Sequence, residues 1–199
     1  MQNGFKDLKI TRQFIDALEG MGITDPTEIQ AKGIPPALSG QDVLGIAQTG
    51  SGKTLAFLLP LVMKIKHAGD GRPKALIMAP AKELALQIFD VLTQLTVNTD
   101  IRSVCLYGGI GKNAQAQSLN DGCEIIVATP GRFLDLYSHG FVELKTVKTL
   151  VLDEADRLME MGFLSQLKSM LEVIPTKRQN LLFSATFPER VKYMADEFL

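Results

Sequence analysis

A chain of 199 residues, 46% hydrophobic and 22% charged, has the size and composition of one globular domain with its own core. Its formal net charge of -1 and pI near 6.1 exclude a whole-surface, salt-driven attraction to nucleic acid, so any such contact must be built from locally placed donors. No apolar run approaches the roughly 20 residues that span a bilayer, and the first five residues carry no charged-then-apolar leader pattern, which points to the cytoplasm, or to the nucleus of a eukaryote.

Two helical segments are expected first, roughly 11–19 and 27–38, forming an N-terminal extension over 1–38 ahead of a core at 39–199. Thr27-x-x-Gln30 fits a capping box at the start of the second. Short β-rich runs follow at 42–46, 75–78, 103–107, 124–128, 149–152 and 180–183. Most are continuously apolar instead of alternating, as parallel strands covered on both faces are. Between them, Leu84, Ile88, Val91, Leu92 and Leu95 fall on one helix face, as do Phe163, Leu167, Met170, Leu171 and Ile174, and again Val191, Met194, Ala195 and Phe198. Cys105 and Cys123, near or within apolar runs and without CxxC spacing or a histidine cluster, read as buried thiols in a reducing compartment. The β-α-β alternation predicts a single α/β domain on a mainly parallel sheet flanked by helices on both faces, with ligands beyond the carboxyl ends of the strands.

The run after the first strand, Ala47-Gln48-Thr49-Gly50-Ser51-Gly52-Lys53-Thr54, carries the first chemistry. Gly50, Ser51 and Gly52 lack bulk where backbone amides would curl around phosphate oxygens, and a helix beginning near Lys53 adds a favourable N-terminal dipole. Lys53 would reach the β- and γ-phosphates and Thr54 would hold Mg2+. Ala47 stands where the usual spacing has a glycine, and the bland alternative is a Gly-rich turn. After the fifth strand, Asp153 can hold Mg2+ through water while Glu154 orients and deprotonates an attacking water. Asp156 suits a bond to another motif; acids at a helix start are the alternative. Together the two motifs specify nucleoside triphosphate chemistry.

Asp153-Glu154-Ala155-Asp156 is D-E-A-D in one-letter code, and the chain resembles the N-terminal RecA-like domain of the DEAD-box RNA helicases over nearly its whole length. The resemblance implies ATP and Mg2+ as cofactors, and an adenine-reading segment at 22–30 in which Gln30 pairs with the base, Thr24 lies alongside and Phe5 packs on the ring. It implies that Ser184 and Thr186 couple hydrolysis to domain closure, although Thr186-x-x-Glu189, with Pro188 in the first turn, also fits a helix cap. It implies RNA contact at Pro80 and Lys82, at Gly108 and Gly109, and at Thr129, Pro130, Gly131 and Arg132, through sugar and phosphate and without base reading. Ala81 and Lys82 replace the threonine and arginine usual in that family, putting their RNA contact in doubt; Thr129-Pro130 also reads as a plain helix start. A second RecA-like domain with arginine fingers is a further implied partner, and the isolated half is expected to show little or no unwinding. A DNA translocase and a nucleotide-gated RNA clamp are the alternatives. Lys64, Lys66, Arg72 and Lys74 read as a solvated basic face, and His67 and His139 as solvated.

Overall fold

The computed structural model describes residues 4–67 and 69–199, so the first three residues of the leader reading lie outside it. In chain order the elements are α1 (Arg12–Gly20), α2 (Glu28–Leu38), β1 (Val43–Ile46), α3 (Lys53–Ile65), β2 (Ala75–Met78), α4 (Lys82–Leu95), β3 (Ser103–Leu106), α5 (Asn113–Asn120), β4 (Ile125–Ala128), α6 (Pro130–Ser138), β5 (Thr149–Leu152), α7 (Ala155–Glu160), α8 (Leu164–Val173), β6 (Gln179–Ser184) and α9 (Glu189–Phe198). The strands form one six-stranded sheet in the order β1-β6-β5-β2-β4-β3, every pair parallel. Each connection must cross back over the sheet, which is why at least one helix separates every strand from the next.

A continuous apolar strand still sends successive side chains to opposite faces. Ile77, Val151, Leu181 and Phe183 join one core with residues of α1 to α4, whereas Leu76, Leu150, Leu152 and Leu182 join another with residues of α5 to α9. Phe57 of α3 and Phe183 of β6 pack with ring centroids 5.4 Å apart, and truncating either ring would cost about 3–5 kcal/mol. Gly45 of β1 accommodates that pair, since a Cβ there would lie 2.4 Å from the Phe183 ring. The expectation of strands covered on both faces holds for β2, β4 and β5 and fails for β1. β1 is an edge strand, and its Leu44 and Ile46 are 37% and 40% exposed.

The thiols are free, with burial pushing Cys105 up to about 11 and Cys123 up to about 12, which keeps both protonated and unreactive. Among the described residues no helix is long and apolar enough to cross a membrane.

Candidate functional site

All six strands point their carboxyl ends the same way, so the six segments that follow them converge on one rim of the sheet. Thr49, Gly50, Gly52, Lys53 and Thr54 from the loop after β1, Asp153 and Glu154 from the end of β5, and Leu84 and Gln87 from α4 line a cavity of about 290 Å3. β6 lies between β1 and β5, and ties the first segment down through Ala47 N–H donating to the Ser184 carbonyl at 3.1 Å.

The loop's curl depends on glycine in two ways. Gly50 and Gly52 have φ of 81° and 90°, in the left-handed region, and a Cβ on Gly52 would lie 2.4 Å from Gln30 Nε2. Lys53, 8% exposed, donates from Nζ to the carbonyls of Ala47 at 2.5 Å and Gln48 at 2.9 Å, which fixes its ammonium inside the loop's own curl.

The acidic end is organised more tightly. Asp153 is 3% exposed and burial raises its carboxyl to about 6, against the opposing effect of the Glu154 amide that donates to Oδ1 at 2.9 Å. Glu154 has φ 50° and ψ 54°, a left-handed conformation that costs a non-glycine residue about 1 kcal/mol or more. Its carboxylate accepts from Arg157 Nη1 at 2.7 Å. Asp156 Oδ2 accepts from both the Thr186 hydroxyl at 2.8 Å and the Thr186 amide at 3.1 Å, while its own amide donates to Ser184 Oγ at 3.2 Å. Burial alone would raise the Asp156 carboxyl, but the hydrogen bonds from Thr186, the Arg157 amide and Ser184 together hold it below the usual carboxylate range. Thr186 therefore bonds to the acidic segment and not to a helix start: α9 begins at Glu189 with Pro188 as its cap, which corrects the capping alternative.

Gln30 does two jobs at once. Its Oε1 accepts from the Thr27 amide at 2.9 Å, completing the capping box, and its Nε2 donates to the Gly52 carbonyl at 3.0 Å. This joins the start of α2 to the phosphate loop. Phe5 is 3% exposed within the core shared by α1 to α4, so little ring surface is open for stacking, and Thr24 is exposed with its hydroxyl donating to Asp25.

A second concavity, of about 570 Å3, adjoins the same rim and is lined by Pro80, Lys82, Gly108, Thr129, Gly131 and Arg132 together with Met161 and Phe163. Gly109, with φ 88°, turns the adjacent chain. Thr129 and Pro130 do start α6. The Arg132 guanidinium is directed inward, with Nη1 donating to Gln115 Oε1 at 3.1 Å and Nη2 to the Ile110 carbonyl at 2.8 Å. Lys82 Nζ sits 5.1 Å from the centroid of the Tyr107 ring. Gln115, 6% exposed, holds Tyr107 by both backbone groups: Nε2 donates to its carbonyl at 3.1 Å and Oε1 accepts from its amide at 3.3 Å.

Gln115, Gln87 and Met161 were not identified in the sequence, and Phe163 was read only as part of an apolar helix face. Helix α5, which carries Gln115, was missed because Asn-Ala-Gln-Ala-Gln-Ser-Leu-Asn has no apolar stripe. His139 is less independent than expected, its Nδ1 lying 3.3 Å from Asp135 Oδ1.

Comparison with known proteins agrees with this arrangement. The family model described as DEAD/DEAH box helicase matches residues 27–194. The chain is 44% identical over 199 residues to "DEAD-box ATP-dependent RNA helicase 30" of Arabidopsis thaliana, covering 98% of this chain and 34% of that protein. It is 43% identical to "ATP-dependent RNA helicase p62" of Drosophila melanogaster and 44% identical to "Probable ATP-dependent RNA helicase DDX17" of Mus musculus, covering 98% of this chain and 28% and 31% of those proteins. The chain thus spans about a third of the length of these relatives.

Proposed function

This chain belongs to the DEAD/DEAH box helicase family, and from that premise we propose that it is the N-terminal, ATP-binding half of an ATP-dependent RNA helicase. The observation that carries the reading is the single small cavity holding Lys53, Thr54, Asp153 and Glu154. A triphosphate there would take Lys53 from the Ala47 and Gln48 carbonyls, exchanging two neutral acceptors for an anionic one.

The residues fit Mg2+. Among the described residues no group of three or more His, Cys, Asp or Glu could hold a metal alone, and Mg2+ characteristically takes one or two protein oxygens and completes its shell with phosphate and water. Asp153, buried and drawn toward protonation, would be the carboxylate ligand through water and Thr54 the hydroxyl ligand; bound Mg2+ would neutralise charge on the phosphates. Glu154 would orient and deprotonate water. Its left-handed backbone aims it from the strand end, and exchange of its Arg157 partner would free the carboxylate.

The neighbouring concavity, with backbone turns at Gly108 and Gly109 and a helix start at Pro130, suits an RNA sugar-phosphate strand. Arg132 would support that strand by bracing the Ile110 turn. The Asp156–Ser184–Thr186 network joins β5 to β6 and would report nucleotide state toward a second RecA-like domain, whose arginines would complete hydrolysis. The 199-residue chain alone would bind adenine nucleotide and unwind little or nothing, in a cytoplasmic or nuclear setting.

The test is competition for a fluorescent adenine nucleotide with Mg2+ by ATP, ADP, AMP and GTP, with Gln30→Ala alongside. Selective competition by ATP and ADP, lost in Gln30→Ala, is expected. Equal competition by GTP would remove the adenine assignment and leave Gln30 as a cap and a loop strut.

A further inference from the structure

The sheet has a second concave site at its opposite end. Lys64 from α3, Lys74 just before β2 and Lys148 just before β5 surround a cavity of about 360 Å3, with Ile65, Thr149 and Gln179 as its remaining walls. The sheet order explains why they meet. β2, β5 and β6 are adjacent and in register, Ala75 against Thr149 and Thr149 against Gln179, so three strand starts lie side by side. Since all strands are parallel, this end is remote from the nucleotide cavity.

The sequence reading grouped Lys64 and Lys74 with Lys66 and Arg72 as a solvated face. The tertiary structure regroups them: Lys66 and Arg72 are not among the lining residues, and Lys148, far away in sequence, is. Among the described residues that line the cavity none is an acid. Lys74 Nζ donates to Asp70 Oδ1 at 3.0 Å, which offsets part of its charge and leaves Lys64 and Lys148 as the cations without an acidic partner among the described residues. Lys64 donates to Gln179 Oε1 at 2.6 Å, and Gln179, 8% exposed, is fixed in turn by donating from Nε2 to the carbonyls of Ala37 at 2.9 Å and Gln41 at 2.5 Å. The ammonium of Lys64 is thus positioned by a buried amide instead of moving freely on a long stem. Lys148 has no side-chain partner among the described residues, and neither has the hydroxyl of Thr149, a residue 7% exposed.

Three lysines line one concavity, and each ammonium retains donors that no acceptor among the described residues uses. Burial holds Lys64 below the ordinary lysine range, so an anion entering beside it would relieve an existing cost. Compact point charges with unused donors, plus a hydroxyl, match the tetrahedral oxygens of phosphate.

We propose that the cavity bounded by Lys64, Lys74, Lys148 and Thr149 is a phosphate-binding site, taking a phosphate of a small free polyphosphate or of an RNA backbone at the end of the sheet remote from the nucleotide. It stands independently of the nucleotide assignment.

The experiment is amide NMR on the isotopically labelled 199-residue chain, titrated with pyrophosphate and, separately, with a single-stranded oligoribonucleotide, against sodium chloride at matched ionic strength. Saturable shifts at Ile65, Thr149 and Gln179 are expected, resolved from any at 49–54. Lys148→Glu and Lys64→Met should each weaken them by about tenfold with the rest of the spectrum unchanged, the equivalent of one lost charge-assisted hydrogen bond. Lys148 is exposed and unpaired, so its substitution leaves the fold intact. Shifts with pyrophosphate alone assign the site to a free polyphosphate, and matching shifts with the oligoribonucleotide assign it to RNA backbone. Absence of saturation with both ligands, equal shifts with sodium chloride, or unchanged affinity in both variants would overturn the site.

Discussion

The cavity at Lys53 and the groove beside it are built on the same rim of one sheet, but they differ in the side chains that line them: a lysine with two carboxylates in one, turns and glycines with two cations in the other. In the cavity, Lys53, Asp153 and Glu154 line the space in which a ligand would lie, Lys53 held by two loop carbonyls, Glu154 by Arg157 and Asp153 by the Glu154 amide. In the groove, Arg132 is part of the wall but its guanidinium is engaged by Gln115 and the Ile110 carbonyl, and the rest of the lining is largely backbone turns, glycines and Lys82. Reaction chemistry needs particular functional groups at fixed points, whereas holding a repeating sugar-phosphate strand needs a shaped backbone. A charged residue in a motif is therefore not by itself a ligand contact.

The contrast can be broken most decisively at Glu154. Glu154→Gln, in a protein carrying both domains, should lower kcat for ATP by about 10²- to 10⁴-fold with little change in nucleotide affinity, as loss of a general base does. An equal fall in kcat from Arg132→Ala would erase the distinction between the two regions. Next in size, Asp156→Ala removes the acceptor of the Thr186 hydroxyl and amide and should cost about 2–4 kcal/mol in urea unfolding.

Asp153 offers a test of opposite sign. Its folded value, about 6, lies above the ordinary 3.8, so the native state binds the proton more tightly than the unfolded chain. Metal-free stability should fall as pH rises from about 4 to about 6, and stay reduced above that. Asp153→Asn keeps an acceptor for the Glu154 amide and removes the charge, and should stabilise the metal-free chain by roughly 1–3 kcal/mol at pH 8 with little effect at pH 4, measured by thermal unfolding. A native stability rising with pH across that window would contradict this account of the acidic end.

The smallest effects belong to the groove. Gln115→Ala should weaken RNA binding by about 1–2 kcal/mol through loss of the Tyr107 and Arg132 contacts, while Lys82→Ala, losing one partly solvated cation contact, should cost about 0.5–1 kcal/mol, both read by fluorescence anisotropy. The reverse ranking would show that the groove works by surface charge after all.

Much of this was legible in the chain. Six apolar runs became six parallel strands within a residue or so at each end, because buried strands leave composition little freedom, and the segment after every strand reached the rim because parallel strands leave no other choice. Local sequence also determined the glycine-rich loop and the acidic strand end, whose parts are contiguous and whose geometry a few residues enforce. Only the tertiary structure decided which side chains of those segments line a cavity and which bond to one another. The burial of Phe5, the bonding of Arg132 to the Ile110 carbonyl and the meeting of Lys64, Lys74 and Lys148 join residues far apart in the chain, whereas the bond between Thr186 and Asp156 was expected from the resemblance. Their partners are set by strand order and by helices without an apolar stripe, such as α5, and neither leaves a local periodicity to read.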